Sequence, residues 1–368
     1  MIKLAIDLGS SVTKIFKIGS GVVLAEPTCI AVSTSSGTVK AIGEEAKLLI
    51  GKTAEFTTIV FPVFEADIVN EEMAAVMLTY FLSKIGVTRS RARKAEALFS
   101  VPCGAQDELL EKYRRLAAAC GIGSVCFVEV PFLSALGQNM PMSETEPVFV
   151  VDMGGGSTNI AAFSLDGVIA GIGLNIGGGN IDSQIIDCIA QDFGLKIGLQ
   201  TSEKLKMTIG SLYESDNESM IVNGRDIQSG RPRSIAVTSG DIYGCVKLFA
   251  DKVIQYTGLV IAKLPAEVSA VIWHNGISLS GGTARIIGMD DYFSHALQVD
   301  VTLADEPQMA VVLGGGRTIG DEEVLEAVRI EYWTVGSETG GGAPPLFCLP
   351  RCRFCDTARS CKRPRFVV

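Results

Sequence analysis

The sequence predicts an α/β protein made of two related halves, and three observations carry that prediction. Short apolar runs ending at turns alternate with longer segments of helical period. Two of those runs share a layout: "AIDLGSSVTKIFKI" near the start and "VVDMGGGSTNIAAFS" in the middle. Each gives an apolar strand, an aspartate, one residue, a glycine, small hydroxylated residues and a second apolar run. The aspartates, Asp7 and Asp152, lie about one domain length apart, and 368 residues exceed one ordinary core.

"KLAIDLG", "AEALFSVP", "PVFVVDMGG" and "VIWHNGISLSGG" read as strands ending at turns. "NEEMAAVMLTYFLSKIG" reads as a helix, with Asn70 as its cap, acidic residues in its first turn, and Lys84 then Gly86 at its end. "QDELLEKYRRLAAACG" repeats that grammar and stops at Gly121. "TSEKLKMTIG" opens with Thr201 and Ser202 as cap candidates. From about Glu322 the chain turns rich in Gly, Pro, Arg and Cys, which reads as a tail outside the core.

Composition narrows the function classes. The chain is 47% apolar and 20% charged, which is a globular balance. A net charge of −9 argues against nucleic-acid binding through the whole surface. The apolar window "VIAGIGLNIGGGNI" is too short and glycine-rich to span a bilayer. "MIKLAIDLGSS" enters a strand pattern without a secretory signal, so a cytoplasmic location is expected. Cys29, Cys103, Cys120, Cys126, Cys188 and Cys245 stand singly among apolar neighbours and read as free thiols.

The aspartate and glycine motifs carry the chemistry. A strand, a tight glycine turn and a second strand bring backbone N–H groups toward one point, and bare glycine lets a phosphate approach. An aspartate beside such a loop does not attract phosphate; its natural partner is Mg²⁺. One Asp-x-Gly-Gly-Gly is also an ordinary hairpin turn, but a second copy at domain spacing favours a phosphate clamp. "ISLSGGTARIIGMDDYF" adds a strand, a Gly-Gly turn and a helix, where a base or ribose can lie against backbone.

"IDLGSSVTK", "VVDMGGGSTN" and "LSGGTARI" resemble the two phosphate motifs and the adenosine motif of the actin-like ATPases. Within that superfamily the chain is similar to the MreB family, the bacterial actins of rod-shape determination. "VVLAEPTCIAV", "AIGEEAKLLIGKT", "LFSVPCGAQDELLEKYRRLAAACG", "NIGGGNIDSQIIDCIAQDFGLKIG", "TSEKLKMTIG" and "VNGRDIQSGRPRSIAVTS" match in the same order, out to about Gly320. The resemblance implies an actin-like fold around an ATP cleft. Its domains would span about 1–145 and 146–305, with small subdomains near 30–62 and 182–240. A segment near 306–322 would return to the first domain, and 323–368 would form the tail.

It also implies a ligand set. Asp7 and Asp152 would sit near Mg²⁺, while Ser10, Ser11 and Val12 would form the first phosphate turn. Lys14 stands where actin has a phosphate-contacting lysine. Gly154, Gly155, Gly156, Ser157 and Thr158 would wrap the β- and γ-phosphates of ATP. Gly177, Gly178, Gly179, Glu203, Lys206, Gly281, Gly282, Thr283 and Ala284 would line ribose and adenine. Without the resemblance, Glu203 and Lys206 read as an exposed helix face.

Two departures from the family pattern stand out. "SSV" replaces the usual Thr-Ala-Asn, so Val12 keeps a backbone N–H but lacks an amide. In "VEVPFLSALG", Val130 precedes Pro131 where the family places a catalytic glutamate. Glu129 lies one residue earlier and projects in a different direction. Glu129 and Ser157 are the remaining water-orienting candidates, and slow hydrolysis is expected.

The tail cysteines Cys348, Cys352, Cys355 and Cys361 suit a Zn²⁺ or iron–sulfur site, or a tail of reduced thiols. "GVTRSRARKAEA" suits either anionic lipid headgroups or a solvated turn. The resemblance implies self-assembly into filaments, with cell-wall synthesis machinery and a membrane scaffold as partners. A non-polymerising chaperone or reactivase on the same fold is the rival reading, and a small-molecule kinase is the third.

Overall fold

Seven consecutive residues of one strand, Ala95–Val101, are buried, as are all seven of Thr158–Ser164. Strands covered on both faces lose the in–out alternation and read as continuous apolar runs. The computed structural model describes residues 2–52, 56–143 and 145–334.

The first half runs β1 (Ile2–Leu8), β2 (Val12–Lys17), β3 (Gly21–Pro27), β4 (Ile30–Ser33), β5 (Val39–Ile42), α1 (Glu44–Lys47) and β6 (Thr57–Val60). It continues through β7 (Val63–Phe64), β8 (Asp67–Ile68), α2 (Glu71–Lys84), α3 (Arg89–Ala92), β9 (Ala95–Val101), α4 (Asp107–Cys120), β10 (Ser124–Glu129) and α5 (Val130–Gly137). The second half runs β11 (Val148–Met153), β12 (Thr158–Ser164), β13 (Gly167–Leu174), α6 (Gly178–Phe193), β14 (Leu195–Lys196) and α7 (Leu199–Ile209). Then come β15 (Ser219–Asp226), β16 (Pro232–Thr238), α8 (Ser239–Ile261), α9 (Ala266–Asn275), β17 (Ile277–Ser280), α10 (Met289–Leu297) and β18 (Val301–Leu303). The chain returns with α11 (Ala310–Gly320), α12 (Glu322–Val328) and β19 (Arg329–Thr334).

The two main sheets repeat one topology. The first has the order β19-β10-β9-β1-β2-β3 and the second β13-β12-β11-β17-β18. In each, a hairpin strand pairs antiparallel on one side of the aspartate strand, and a later strand pairs parallel on the other. Parallel pairing needs a crossover, and the intervening helices and small sheets supply it. The small sheets are β5-β4-β6 in the first half and β14-β15-β16 in the second.

Each half has its own apolar core, and a third cluster joins the halves through α5 and α11. These two helices touch at backbone distance. A Cβ on Gly137 would lie 1.8 Å from the Ala310 carbonyl oxygen, and one on Gly314 would lie 1.8 Å from that of Leu133. Only glycine permits such an approach.

The expected cap of α2 is present, with Asn70 Oδ1 accepting from the Met73 N–H at 3.0 Å. Such caps contribute about 1 kcal/mol.

Three expectations are corrected. "VIWHN" ends α9 instead of opening a strand: Gly276, at φ 81°, breaks the helix, and β17 begins at Ile277. The α7 helix starts at Leu199 after Gly198 with no side-chain cap, because the Ser202 hydroxyl donates instead to the Asp182 carbonyl at 2.6 Å. The core does not stop at residue 322: Leu325 and Val328 are buried, and β19 pairs antiparallel with β10. Cys348, Cys352, Cys355 and Cys361 lie outside the described residues.

Cys29, Cys103, Cys120 and Cys126 are buried free thiols, while Cys188 and Cys245 are half-buried. No helix among the described residues is long and apolar enough to cross a membrane.

Candidate functional site

The two hairpins meet. A Cβ on Gly155 would fall 2.0 Å from Ser11 Oγ, and one on Gly156 would fall 2.6 Å from Ser10 Oγ. The glycines of the β11–β12 turn are therefore the space into which the serines of the β1–β2 turn fit. The tip of a third hairpin, between β7 and β8, reaches the same point, where the Ala66 N–H donates to Ser10 Oγ at 3.4 Å. Glu65 and Ala66 adopt φ of 47° and 64°. Each such non-glycine conformation costs of order 1–3 kcal/mol and tends to collect at functional loops.

Behind these turns, strand register fixes the two carboxylates. Asp7 faces Lys14 across β1–β2, and Asp152 faces Asn159 across β11–β12. Lys14 Nζ donates to Asp7 Oδ2 at 2.8 Å, and Ser100 Oγ donates to Asp7 Oδ1 at 2.9 Å. Asp152 is in register with Ser280, whose Oγ donates to its Oδ2 at 2.8 Å. Asn159 brings no cation; its Oδ1 accepts the Cys103 N–H at 2.9 Å. Burial pushes the Asp152 carboxyl up to about 6, the negative charge of Asp7 adds to that, and Ser280 and Lys14 oppose it.

A second turn lies against the first. The Gly178 and Gly179 N–H groups donate to the carbonyls of Gly154 and Gly155 at 3.0 and 2.8 Å. Thr283 Oγ1 also donates to the Gly154 carbonyl, at 2.8 Å. Gly177 thus opens the 16-residue α6 beside the glycine triplet. Lys206 Nζ donates to the Gly178 carbonyl at 2.9 Å and to Asp182 Oδ2 at 2.7 Å. Burial raises the Asp182 carboxyl, and the charge of Lys206 opposes it. Gly281, at φ 85°, brings backbone against Met153, while Gly282 is open and Ala284 is buried.

Not every expected residue joins this group. Glu203 pairs with Lys47 of α1, Oε2 to Nζ at 2.9 Å, and Gln200 Nε2 donates to the Lys47 carbonyl. Those contacts join the two small subdomains. Thr158 turns its hydroxyl to the Ile176 carbonyl at 2.8 Å, and Val12 begins β2. Glu129 caps α5 in sequence, but its Oε1 accepts the Gly104 N–H at 2.8 Å. Val130 is buried in the cluster that joins the halves. Ser157 lines a cavity of about 310 Å³ together with Glu65, Asp67, Cys103, Gly104 and Asn175. Burial raises the Cys103 thiol, which makes it a poor nucleophile.

Sequence reasoning missed Ser100, Ser280, Asp182, Lys47 and the Glu65–Ala66 turn. Ser280 stands inside a quoted motif, and the duplicated layout places Ser100 and Ser280 at matching positions. Nothing local marks Lys47 or Asp182, because their partners lie far off in the sequence.

The geometry is that of two hairpins of common design meeting at their turns, and the sequence comparisons agree. The profile of the MreB/Mbl protein family matches residues 1–327. The chain belongs to the MreB/Mbl family. It is 32% identical over 314 residues to the cell shape-determining protein Mbl of Bacillus cereus, covering 85% of this chain and 94% of the relative. It is 32% identical over 323 residues to MreB of Pasteurella multocida, covering 86% and 92%. Among solved structures, MreB5 of Spiroplasma citri bound to AMPPNP superposes with a TM-score of 0.83 at 26% identity, covering 88% of this chain and 97% of that one. A MamK double helical filament shares the fold, with a TM-score of 0.74 at 18% identity over 87% of this chain and 99% of that one. The MreB/Mbl chain described here thus has the actin-like fold, and its duplicated sheets are the two halves of that fold.

Proposed function

We propose that this protein binds Mg·ATP between its two halves and assembles into filaments that guide cell shape and cell-wall synthesis. The contact of Ser10 and Ser11 with Gly156 and Gly155 carries the reading, because it brings both candidate phosphate turns to one point. The structure of MreB5 with AMPPNP supports it.

The donor set fits Mg²⁺. Among the described residues Asp152 is a buried carboxylate with no direct ion pair, and the charge of Asp7 adds to the burial that raises it. No group of three or more metal-ligating side chains exists among the described residues. Two carboxylates completed by phosphate oxygens and water suit Mg²⁺, which keeps several waters. When bound, the cation offsets phosphate charge. The chain's own part is to hold the two carboxylates and present backbone N–H groups to the phosphates.

Hydrolysis is slow in this reading. Val130 occupies the position at which the family pattern has a glutamate, and the Glu129 carboxylate is bonded to Gly104. Water positioning by a general base contributes about 10²- to 10⁴-fold. Val130→Glu should therefore raise phosphate release by about 10²-fold or more at little-changed nucleotide affinity. Equal turnover in a folded variant would count against the role given to this position.

Calorimetric titration with ATP and ADP, with and without Mg²⁺, tests the ligand; sedimentation and electron microscopy test assembly. Pelleting with ATP supports the filament, whereas soluble monomers with client-stimulated turnover would indicate the chaperone. The same reading puts the protein in the cytoplasm, with Arg89, Arg91, Arg93 and Lys94, all exposed, as a peripheral contact for anionic membrane. Co-sedimentation with anionic vesicles checks that contact.

A further inference from the structure

Four hydrogen bonds of one direction end on Asp152. Ser278 Oγ donates to Gln138 Oε1 at 2.5 Å, and Gln138 Nε2 donates to Ser134 Oγ at 3.1 Å. Ser134 Oγ donates to Ser280 Oγ at 2.6 Å, and Ser280 Oγ donates to Asp152 Oδ2 at 2.8 Å. The direction is chemically forced at its end: an ionised carboxylate only accepts, so Ser280 must donate, and its lone pairs are left to receive Ser134.

The periodicities of the two elements match. Ser134 and the C-cap residue Gln138 lie one turn apart along one face of α5, and residues 278 and 280 lie on one face of β17. Ser134 and Ser280 are fully buried, so water does not compete for the bond between them. Chains of hydrogen bonds polarise one another in such a setting. The chain also crosses the molecule, since α5 follows β10 of the first sheet while Ser280 and Asp152 belong to the second.

We propose that Ser134 is a positioning residue for the Mg·nucleotide site: acting through Ser280, it ties the orientation of the Asp152 carboxylate to the helix that joins the halves. This inference rests on the Mg·ATP reading of the cleft. Ser134 touches neither ligand nor metal. It restrains one rotor of Ser280, and Ser280 in turn holds one oxygen of Asp152.

The test measures binding of a fluorescent ATP analogue to the full chain as Mg²⁺ is titrated, with a thermal melt confirming that each variant is folded. Ser134→Ala should raise the Mg²⁺ concentration at half-saturation by about two- to tenfold, the value of one hydrogen bond. Binding in excess chelator should not change. In the Ser280→Ala background, Ser134→Ala should have no further effect, because the path is already cut. A side chain that merely packs would shift melting and both binding modes together.

An unchanged Mg²⁺ dependence in Ser134→Ala, or additive effects of the two substitutions, overturns the inference and leaves the nucleotide reading standing. No nucleotide binding by the unsubstituted chain overturns that reading, and the inference falls with it.

Discussion

Asp7 and Asp152 occupy the same place in two copies of one sheet, yet their surroundings differ by one residue across the hairpin. Lys14 faces the first and Asn159 the second. The parallel neighbour is a serine in both copies, Ser100 and Ser280, and each donates to its aspartate. Asp7 therefore has a fixed cation in the protein. Asp152, buried and facing Asn159, depends on a counter-charge from elsewhere. The two frames match in strand order and differ in whether a lysine faces the aspartate.

The comparison breaks most sharply at Lys14. The Lys14–Asp7 pair is mostly buried, at 15% and 14% side-chain exposure, and removing one partner leaves a charge without compensation. Lys14→Met should lower stability by about 3 kcal/mol, read from denaturant unfolding. A loss near zero would mean that the first frame tolerates a lone carboxylate as the second does.

The next effect has the opposite sign. Asp152→Asn keeps an acceptor for Ser280 and removes a charge that burial disfavours, so it should stabilise the ligand-free protein by about 3 kcal/mol near pH 7.5 while weakening Mg²⁺-dependent nucleotide binding. The pH dependence has a definite sign. The Asp152 carboxyl lies at about 6 folded against an ordinary 3.8. Proton uptake therefore favours the folded state: this contribution is fully present below about pH 4 and lost as pH rises through about 6. The melting difference between variant and parent should be open at pH 7.5 and closed by pH 4.

The smallest effect sharpens the comparison at the cleft mouth, where the halves are held by Lys47 and Glu203 at 35% and 29% side-chain exposure. Lys47→Ala should cost under about 1 kcal/mol, and the difference should fade in high salt. A larger, salt-independent loss would show that this latch rivals the buried Lys14–Asp7 pair in its contribution to stability.

The frames were legible in the sequence, and the distinction between them was only half so. The repeated strand, aspartate and glycine layout gave both hairpins, because period and turn chemistry are local. Lys14 was visible at the position of actin's phosphate-contacting lysine, but its bond to Asp7 follows from register, which pairs residues across the turn. Ser100 and Ser280 come from strands far along the chain, and no local period points at them. The extent of the core was misjudged at residue 322 for a related reason. β19 earns its place through a partner, β10, and edge strands carry little pattern of their own. "VIWHN" was misassigned because a short apolar run fits helix and strand alike.

The bare crossing of α5 and α11 has a mechanical consequence. With the Gly137 and Gly314 backbones against the facing carbonyls, neither rod has the tolerance to shear along the other without collision. Rotation about the crossing point is the freedom that remains. The same crossing carries Ser134, so any such rotation would pull on the hydroxyl that donates to Ser280 of the other lobe.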